Sequence, residues 1–340
     1  MTGPSATSVR YSREQSMQDS HSSIPLLVVS CDKYADLWPH FFRLLRLRWP
    51  DCPFPVLVGS NLLPPDIPGV TSALIGPDSS WSAGTQKMLD RVTELHPGAD
   101  YVLLFLEDFF LTAPVDTRRV QHLVRIARQN GIGCLRLAAG LPLALPPTNE
   151  LSEFPGVGIV APGEPYRVTL QVAVWRIETL RRLLVPGLSP WEFETIGTHM
   201  SEGLDDVFWA VMNPAIEYDH AVEKGKWKPE GLAILRSAGL EATTLGREVY
   251  TDTELVAHYN RGFEESATSN YRSAALRSFL AGRRTEGIRQ IWRGIRNGDA
   301  TLTALLLALV GSLGRAATRK ALAGYVRLRL WSYARREHNQ

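Results

Sequence analysis

An α/β fold, a sheet wrapped by helices, is the class this sequence predicts, on three observations. Short apolar runs of strand length alternate with segments of helical period as far as about Leu137. One run, Tyr101–Leu106 (YVLLFL), is apolar or aromatic throughout, as in a strand buried on both faces. It ends on two adjacent carboxylates, Glu107 and Asp108, before apolar Phe109-Phe110-Leu111.

The elements follow in order. Ile24–Ser30 (IPLLVVS) reads as a first strand. Leu37–Arg48 has apolar residues at helical spacing and closes at Trp49-Pro50, because proline disfavours helix at the residue before it. Pro55–Gly59 and Thr71–Ile75 read as the second and third strands. Ser82–Leu95 is a helix stopped by Pro97-Gly98, and Tyr101–Leu106 the fourth strand. Asp116–Gln129 is helical and Ile132–Leu137 extended. This β-then-α alternation argues for parallel strands covered by helices. From Gly140 to Pro165, Pro and Gly are frequent and loops are expected. Beyond them Tyr166–Val174 reads as a strand, Ile177–Leu184 as a short helix and Ala215–Val222 as a late strand. Residues 254–297 look mainly helical.

At 340 residues the chain can bury one large core or two smaller ones. Cys31, Cys52 and Cys134 are far apart, show no zinc-ligand spacing and cannot all pair, which points to a reducing compartment. Residues 1–23 are rich in Ser, Gln and Thr, so a disordered tail is expected there. It lacks the apolar middle of a signal peptide, and a cytoplasmic location is expected.

The candidate chemistry gathers at predicted strand ends, where open α/β sheets bind ligands. Glu107 and Asp108 could hold a divalent cation, Mg²⁺ or Mn²⁺, and through it a diphosphate. Asp108 is the stronger direct ligand, with Glu107 a ligand or its support. At the first strand end, Asp32, Lys33 and Tyr34 stand where a nucleotide base and ribose would lie; Asp32 could equally cap the next helix. Trp81 and Ser82 open a helix whose free N–H groups would attract phosphate, with Lys87 within reach and Ser82 as N-cap. In Trp191-Glu192-Phe193-Glu194, aromatic neighbours would desolvate a carboxylate and raise its pKa, as a general base requires. Glu192 and Glu194 share a face if extended and lie about 200° apart if helical. Lys224, Lys226 and Lys228, at spacing two, would line one face of an extended segment and neutralise a departing diphosphate. His220 is a further candidate ligand, and Arg136, Gln171, Trp175 and Arg176 lie near predicted strand ends.

Together, VVSCDKYADLWPHFF, the WS-led helix, LLFLEDFFL, LQVAVWR, SPWEFE and EKGKW resemble the GT-A glycosyltransferases, and in layout the bacterial cell-surface polysaccharide transferases. The resemblance covers roughly residues 24–240. It implies a Rossmann-like mixed sheet flanked by helices, a catalytic domain over 24–250, a nucleotide-sugar donor and a glycan or lipid-linked acceptor. It also implies that Glu107 and Asp108 stand at the family's Asp-x-Asp metal motif, and that Glu192 or Glu194 is the base. The adjacent Glu-Asp pair departs from that motif, so lysines could share the metal's work. A sugar-phosphate nucleotidyltransferase is a competing reading, but SCDKYAD lacks the Gly-rich loop expected after strand one. An inactive membrane-associated scaffold of the same fold is another.

Charge is unevenly spread. From Arg272 to Gln340, fourteen Arg and Lys face three Asp and Glu, a net of +11; with +2 overall, residues 1–271 carry −9. A basic helical extension over 251–340 is expected. Its uncharged run from Ala300 to Gly314 would span about 22 Å as a helix, short of the roughly 30 Å of a bilayer core. Arginine flanks with Trp292, Tyr325, Trp331 and Tyr333 suit an anionic membrane surface, peripheral on the inner face of the cell membrane. No nucleic-acid-binding module is recognisable.

Overall fold

In a computed structural model, described over residues 24–77, 80–138, 147, 149–244 and 246–257 and, with short gaps, 271–337, nine strands form one mixed sheet. The tail expected at 1–23 lies outside the described residues, as do 139–146 of the expected loop stretch and 258–270 of the expected helical one. In chain order the body contains β1 (Leu26–Val29), α1 (Trp38–Arg48), β2 (Val56–Ser60), β3 (Val70–Leu74), α2 (Trp81–Leu95), β4 (Tyr101–Leu106), β5 (Phe109–Leu111) and α3 (Thr117–Gln129). Then come β6 (Cys134–Arg136), β7 (Asn149–Leu151), β8 (Phe154–Ile159), β9 (Ala173–Arg176), α4 (Ile177–Leu183), α5 (Pro190–Ser201) and β10 (Phe208–Val211). Two small ribbons and a helix follow: β11 (Tyr218–His220), β12 (Val222–Glu223), β13 (Lys226–Trp227) and α6 (Pro229–Ser237).

The sheet order is β3-β2-β1-β4-β9-β6-β10-β8-β7. β3, β2, β1 and β4 are parallel, as the alternation predicts. β9 then runs antiparallel to both β4 and β6, and β8 antiparallel to β10 and β7, which makes the sheet mixed. Helices cover both faces over two large apolar clusters. One centres on Phe41, Phe42, Phe105 and Phe110, the other on Trp175, Phe193 and Phe208. Tyr101–Phe105 are almost fully buried, the expected property of a central strand.

Besides the loop stretch expected over Gly140–Pro165, which holds the strands β7 and β8, three expectations need correction. The strand expected over Tyr166–Val174 begins only at Ala173. Tyr166 adopts φ +54°, and the amides of Val168 and Leu170 donate to the Thr198 hydroxyl and the Glu194 carboxylate instead of to a neighbouring strand. The strand expected over Ala215–Val222 is split at Ala221, whose amide donates to the Asp108 carbonyl and whose carbonyl accepts from Lys228. The third concerns a helix start: Ser80, not Ser82, caps α2, its hydroxyl accepting from the Ala83 amide.

Toward the C-terminus, α7 (Arg284–Arg296), α8 (Leu302–Ser312) and α9 (Arg315–Glu337) follow. Tyr271, Ala275, Phe279, Ile291 and Ala304 form a small apolar cluster of their own there. Among the described residues, no helix is long and apolar enough to cross a membrane.

The split at Ala221 depends on a close approach. A Cβ on Gly231, in the first turn of α6, would fall 2.6 Å from the Ala221 carbonyl oxygen and 2.7 Å from its Cα. Gly231→Ala is therefore expected to destabilise the protein by about 1–3 kcal/mol, the usual range for an overpacked site. Thermal unfolding reads this as a lowered Tm; an unchanged Tm would mean the backbone there gives way freely.

Candidate active site at the carboxyl edge of the sheet

The pairing of β4 with β9 assembles the site. Leu104 faces Ala173 and Leu103 faces Val174 across an antiparallel register. The chain before Ala173 therefore leaves the sheet at the edge where β4 delivers Glu107 and Asp108. Thr169 and Leu170 lie on that emerging segment, and both hold Glu194: its Oε1 accepts from the Leu170 amide at 2.8 Å and the Thr169 hydroxyl at 3.0 Å. Glu194, far along the chain and on α5, is thereby tied to the edge that carries the acid pair.

His220 acts electrostatically on both. β5 and β11 pair antiparallel with His220 opposite Phe109, and Phe109 stacks on Tyr218 with ring centroids 4.3 Å apart. This ribbon sets His220 Nδ1 3.7 Å from Asp108 Oδ2. Burial opposes charge on the imidazole, but the negative charge of the neighbouring Asp108 outweighs it, and the His220 pKa is raised. Burial also raises Glu194, against the two donors at its Oε1 and the nearby charge of His220. Asp108 and Glu194 thus share one histidine within electrostatic reach.

The two members of the acid pair differ. Glu107 is buried, and burial first and Asp108 second push its carboxyl well above the usual range. Ser30 beside it works the other way, and the Trp38 indole donates to the Ser30 hydroxyl at 2.9 Å. Asp108 keeps 17% of its side chain exposed. Its carbonyl accepts from Ala221 at 2.8 Å, so the couplet is fixed by backbone as well as by side chains. A cation held by both acids does not fit Glu107, which faces inward; one held by Asp108 together with substrate phosphates does fit, a common arrangement for Mg²⁺. Among the described residues, no three His, Cys, Asp or Glu side chains are grouped to hold a metal.

The structure sorts the remaining expected residues. Asp32 accepts from the amides of Asn61, Leu62 and Leu63 at 3.0–3.1 Å, tying the loop after β1 to the loop after β2. Lys33 is exposed, and its carbonyl accepts from Arg247. Tyr34 lies beneath the Arg247 guanidinium, 4.6 Å from its ring centroid. Arg247 also makes a two-pronged pair with Asp36, at 2.6 and 2.7 Å, and donates to the Gly225 carbonyl. It clasps the loop after β1 to the β12–β13 turn.

Trp81 packs on Phe193 at 5.4 Å, which places the start of α2 beside α5. That start is occupied: Ser80 and Ser82 hydroxyls accept from Gly187 and Leu188, and Lys87 turns back to the Pro77 carbonyl. The expected phosphate grip by Ser82 and Lys87 is therefore not what these groups do here. Glu192 closes a capping box with Ser189 at the start of α5, while Glu194 faces inward. The lysines do not line one face. Lys224 and Gly225 form the β12–β13 turn with φ +48° and +87°, which leaves Lys224 exposed at its tip. Lys226 pairs with Glu248 at 2.6 Å, and Lys228 with Asp219 at 2.9 Å. Arg136 and Gln171 are buried near the acid edge. Trp175 is core, and Arg176 lies opposite Tyr101 at the other end of β4, beside Asp206 and Glu178. No local signal marks Arg247 or Thr169, whose partners are distant in sequence.

The raised Glu194 pKa has a signed consequence. The folded state holds the proton more tightly than the unfolded chain, so stability falls as pH rises from about 4.5, the ordinary value, through the higher folded value. Gln at this position keeps an acceptor for Leu170 and Thr169 and has no charge to bury. Glu194→Gln is expected to flatten that decline in a Tm-against-pH series. Parallel curves for the two proteins would refute the burial account.

No family model matches the sequence, and no curated protein matches it. Among solved structures, the chain is similar to a crystal structure of S. aureus TarS residues 1–349. The identity is 12% and the TM-score 0.41, over 88% of this chain and 92% of that one.

Proposed function

We propose that the chain is a glycosyltransferase that moves a sugar from a nucleotide-diphosphate donor to a hydroxyl of a glycan or lipid-linked acceptor, in cell-surface polysaccharide synthesis. The observation that carries this is the convergence of Asp108, His220 and Glu194 on one sheet edge. The sequence resemblance to GT-A enzymes points the same way.

The roles follow from chemistry. The nucleoside half of the donor lies over the loop after β1, with Tyr34 at its floor and with Asp32 and Arg247 keeping that loop rigid. Asp108 would hold Mg²⁺ or Mn²⁺ at the diphosphate end, and that ion would supply the charge that stabilises the leaving group. His220, drawn toward its charged form by Asp108, and the Lys228–Asp219 pair add to the field beside it. Glu194 accepts the acceptor's hydroxyl proton as the oxygen attacks the anomeric carbon, and the bond to the diphosphate oxygen breaks with its electron pair. Its raised pKa makes the carboxylate a stronger base than an ordinary glutamate. Trp191, exposed and one helical turn from Glu194, offers a face for the acceptor sugar. A lipid-linked acceptor would put the enzyme in the cytoplasm, peripheral on the inner face of the cell membrane.

A panel of nucleotide-sugar donors, assayed for hydrolysis and transfer with and without Mn²⁺, tests the reading. Asp108→Asn is expected to abolish transfer with an unchanged circular dichroism spectrum; full activity would remove the leaving-group role. Glu194→Gln is expected to lower kcat by about 10²–10⁴-fold with donor affinity kept. Glu192→Ala, by contrast, should cost about 1 kcal/mol of stability through its lost cap and leave kcat near that of the parent.

A further inference from the structure

Helix α8 is apolar on both sides, and among the described residues only one side is covered. Ala304 is buried, and a Cβ on Gly311 would strike the Phe279 ring, so this face packs tightly on the small C-terminal cluster. Leu302, Leu305, Leu306, Leu309 and, just past the helix end, Leu313 recur at helical spacing on the other face, and each is between 52% and 73% exposed. Five exposed leucines in one stripe exceed the scattered apolar exposure of an ordinary surface.

Helix α7 shows a second stripe. Its buried side is Gly287, Ile291 and Gly294, with Tyr271 filling the space a Cβ on Gly294 would need. Its open side is Arg289, Trp292, Arg293 and Arg296, which together line one shallow depression. Trp292 is 58% exposed among these guanidiniums. Over residues 282–337, twelve Arg and Lys stand against Glu286, Asp299 and Glu337.

We infer that α7 and α8 form a docking surface for an anionic phospholipid bilayer. The α8 leucines enter the boundary between headgroups and acyl chains, and the α7 arginines meet lipid phosphates with Trp292 at headgroup level. Charge decides between this occupant and a second copy of the chain. Two copies joined through their leucine faces would bring like-charged flanks together, whereas an anionic lipid surface neutralises them. An α8 of 11 residues is also far too short to span a bilayer and suited to lying in its surface. The surface deepens the peripheral location proposed above, but it stands on the helices alone.

Flotation of the full chain with vesicles tests it without any sugar donor, so its outcome is separate from that of the transfer assays. Binding is expected to phosphatidylcholine vesicles containing phosphatidylglycerol, to be weak on phosphatidylcholine alone, and to fall as salt rises. Leu305→Gln with Leu309→Gln is expected to abolish it. Arg289→Gln with Arg293→Gln and Arg296→Gln should lower the partition coefficient by about two orders of magnitude. All five side chains lie on the open faces, and an unchanged Tm would show that the variants fold. Absent binding, equal binding to both vesicle types, or undiminished binding by folded variants would overturn the inference. So would a parent protein that is dimeric by light scattering and becomes monomeric in the leucine variant, since a second copy would then cover the face.

Discussion

Antiparallel pairing of β9 against β4 is the constraint on which the site rests. In an all-parallel sheet, the segment before the neighbouring strand would leave at the opposite edge. Reversing β9 sends Thr169 and Leu170 out beside Glu107 and Asp108. Those two residues then donate to Glu194 and so anchor α5 to the same edge. A single strand direction thus brings together carboxylates that lie 86 positions apart in the chain.

Electrostatics at this edge is held by structure more than by solvent. Glu107 and Glu194 are carboxyls whose burial raises their pKa, and Glu194 is satisfied by fixed donors, Leu170 and Thr169. Donors already in place cost no reorganisation when charge moves, the property that makes a polar site catalytically useful. Arg247 serves the same end from further away. By joining Asp36, Lys33 and Gly225, it keeps the loop after β1 and the β12–β13 turn in register around the edge.

Several polar residues that a sequence reading would reserve for substrate are instead occupied by backbone. Glu192 closes a helix cap, Asp32 collects three loop amides, and Ser82 seals the start of α2 against the α4–α5 connection. A side chain that can bind a ligand's donor can equally bind an orphaned amide, and local sequence does not distinguish the two uses. The first four strands and three helices were legible because their apolar period is set by neighbours in the chain. β7, β8 and β10 were not: Phe154–Ile159 contains a proline and two glycines, and its pairing comes from β10, some fifty residues later.

By itself the sequence determined the α/β class, the parallel half of the sheet, the buried strand ending in Glu107-Asp108, and an acidic body followed by a basic, apolar-rich C-terminal segment. These are properties of hydrophobic period and charge, which each residue carries wherever it is placed. Only the tertiary structure decided that Glu194 rather than Glu192 faces the acid edge, that His220 joins Asp108, that Lys226 is spent on Glu248, and which faces of α7 and α8 stay open. Each of those depends on strand direction and on contacts between distant segments, and no local pattern encodes which partner a polar side chain will meet.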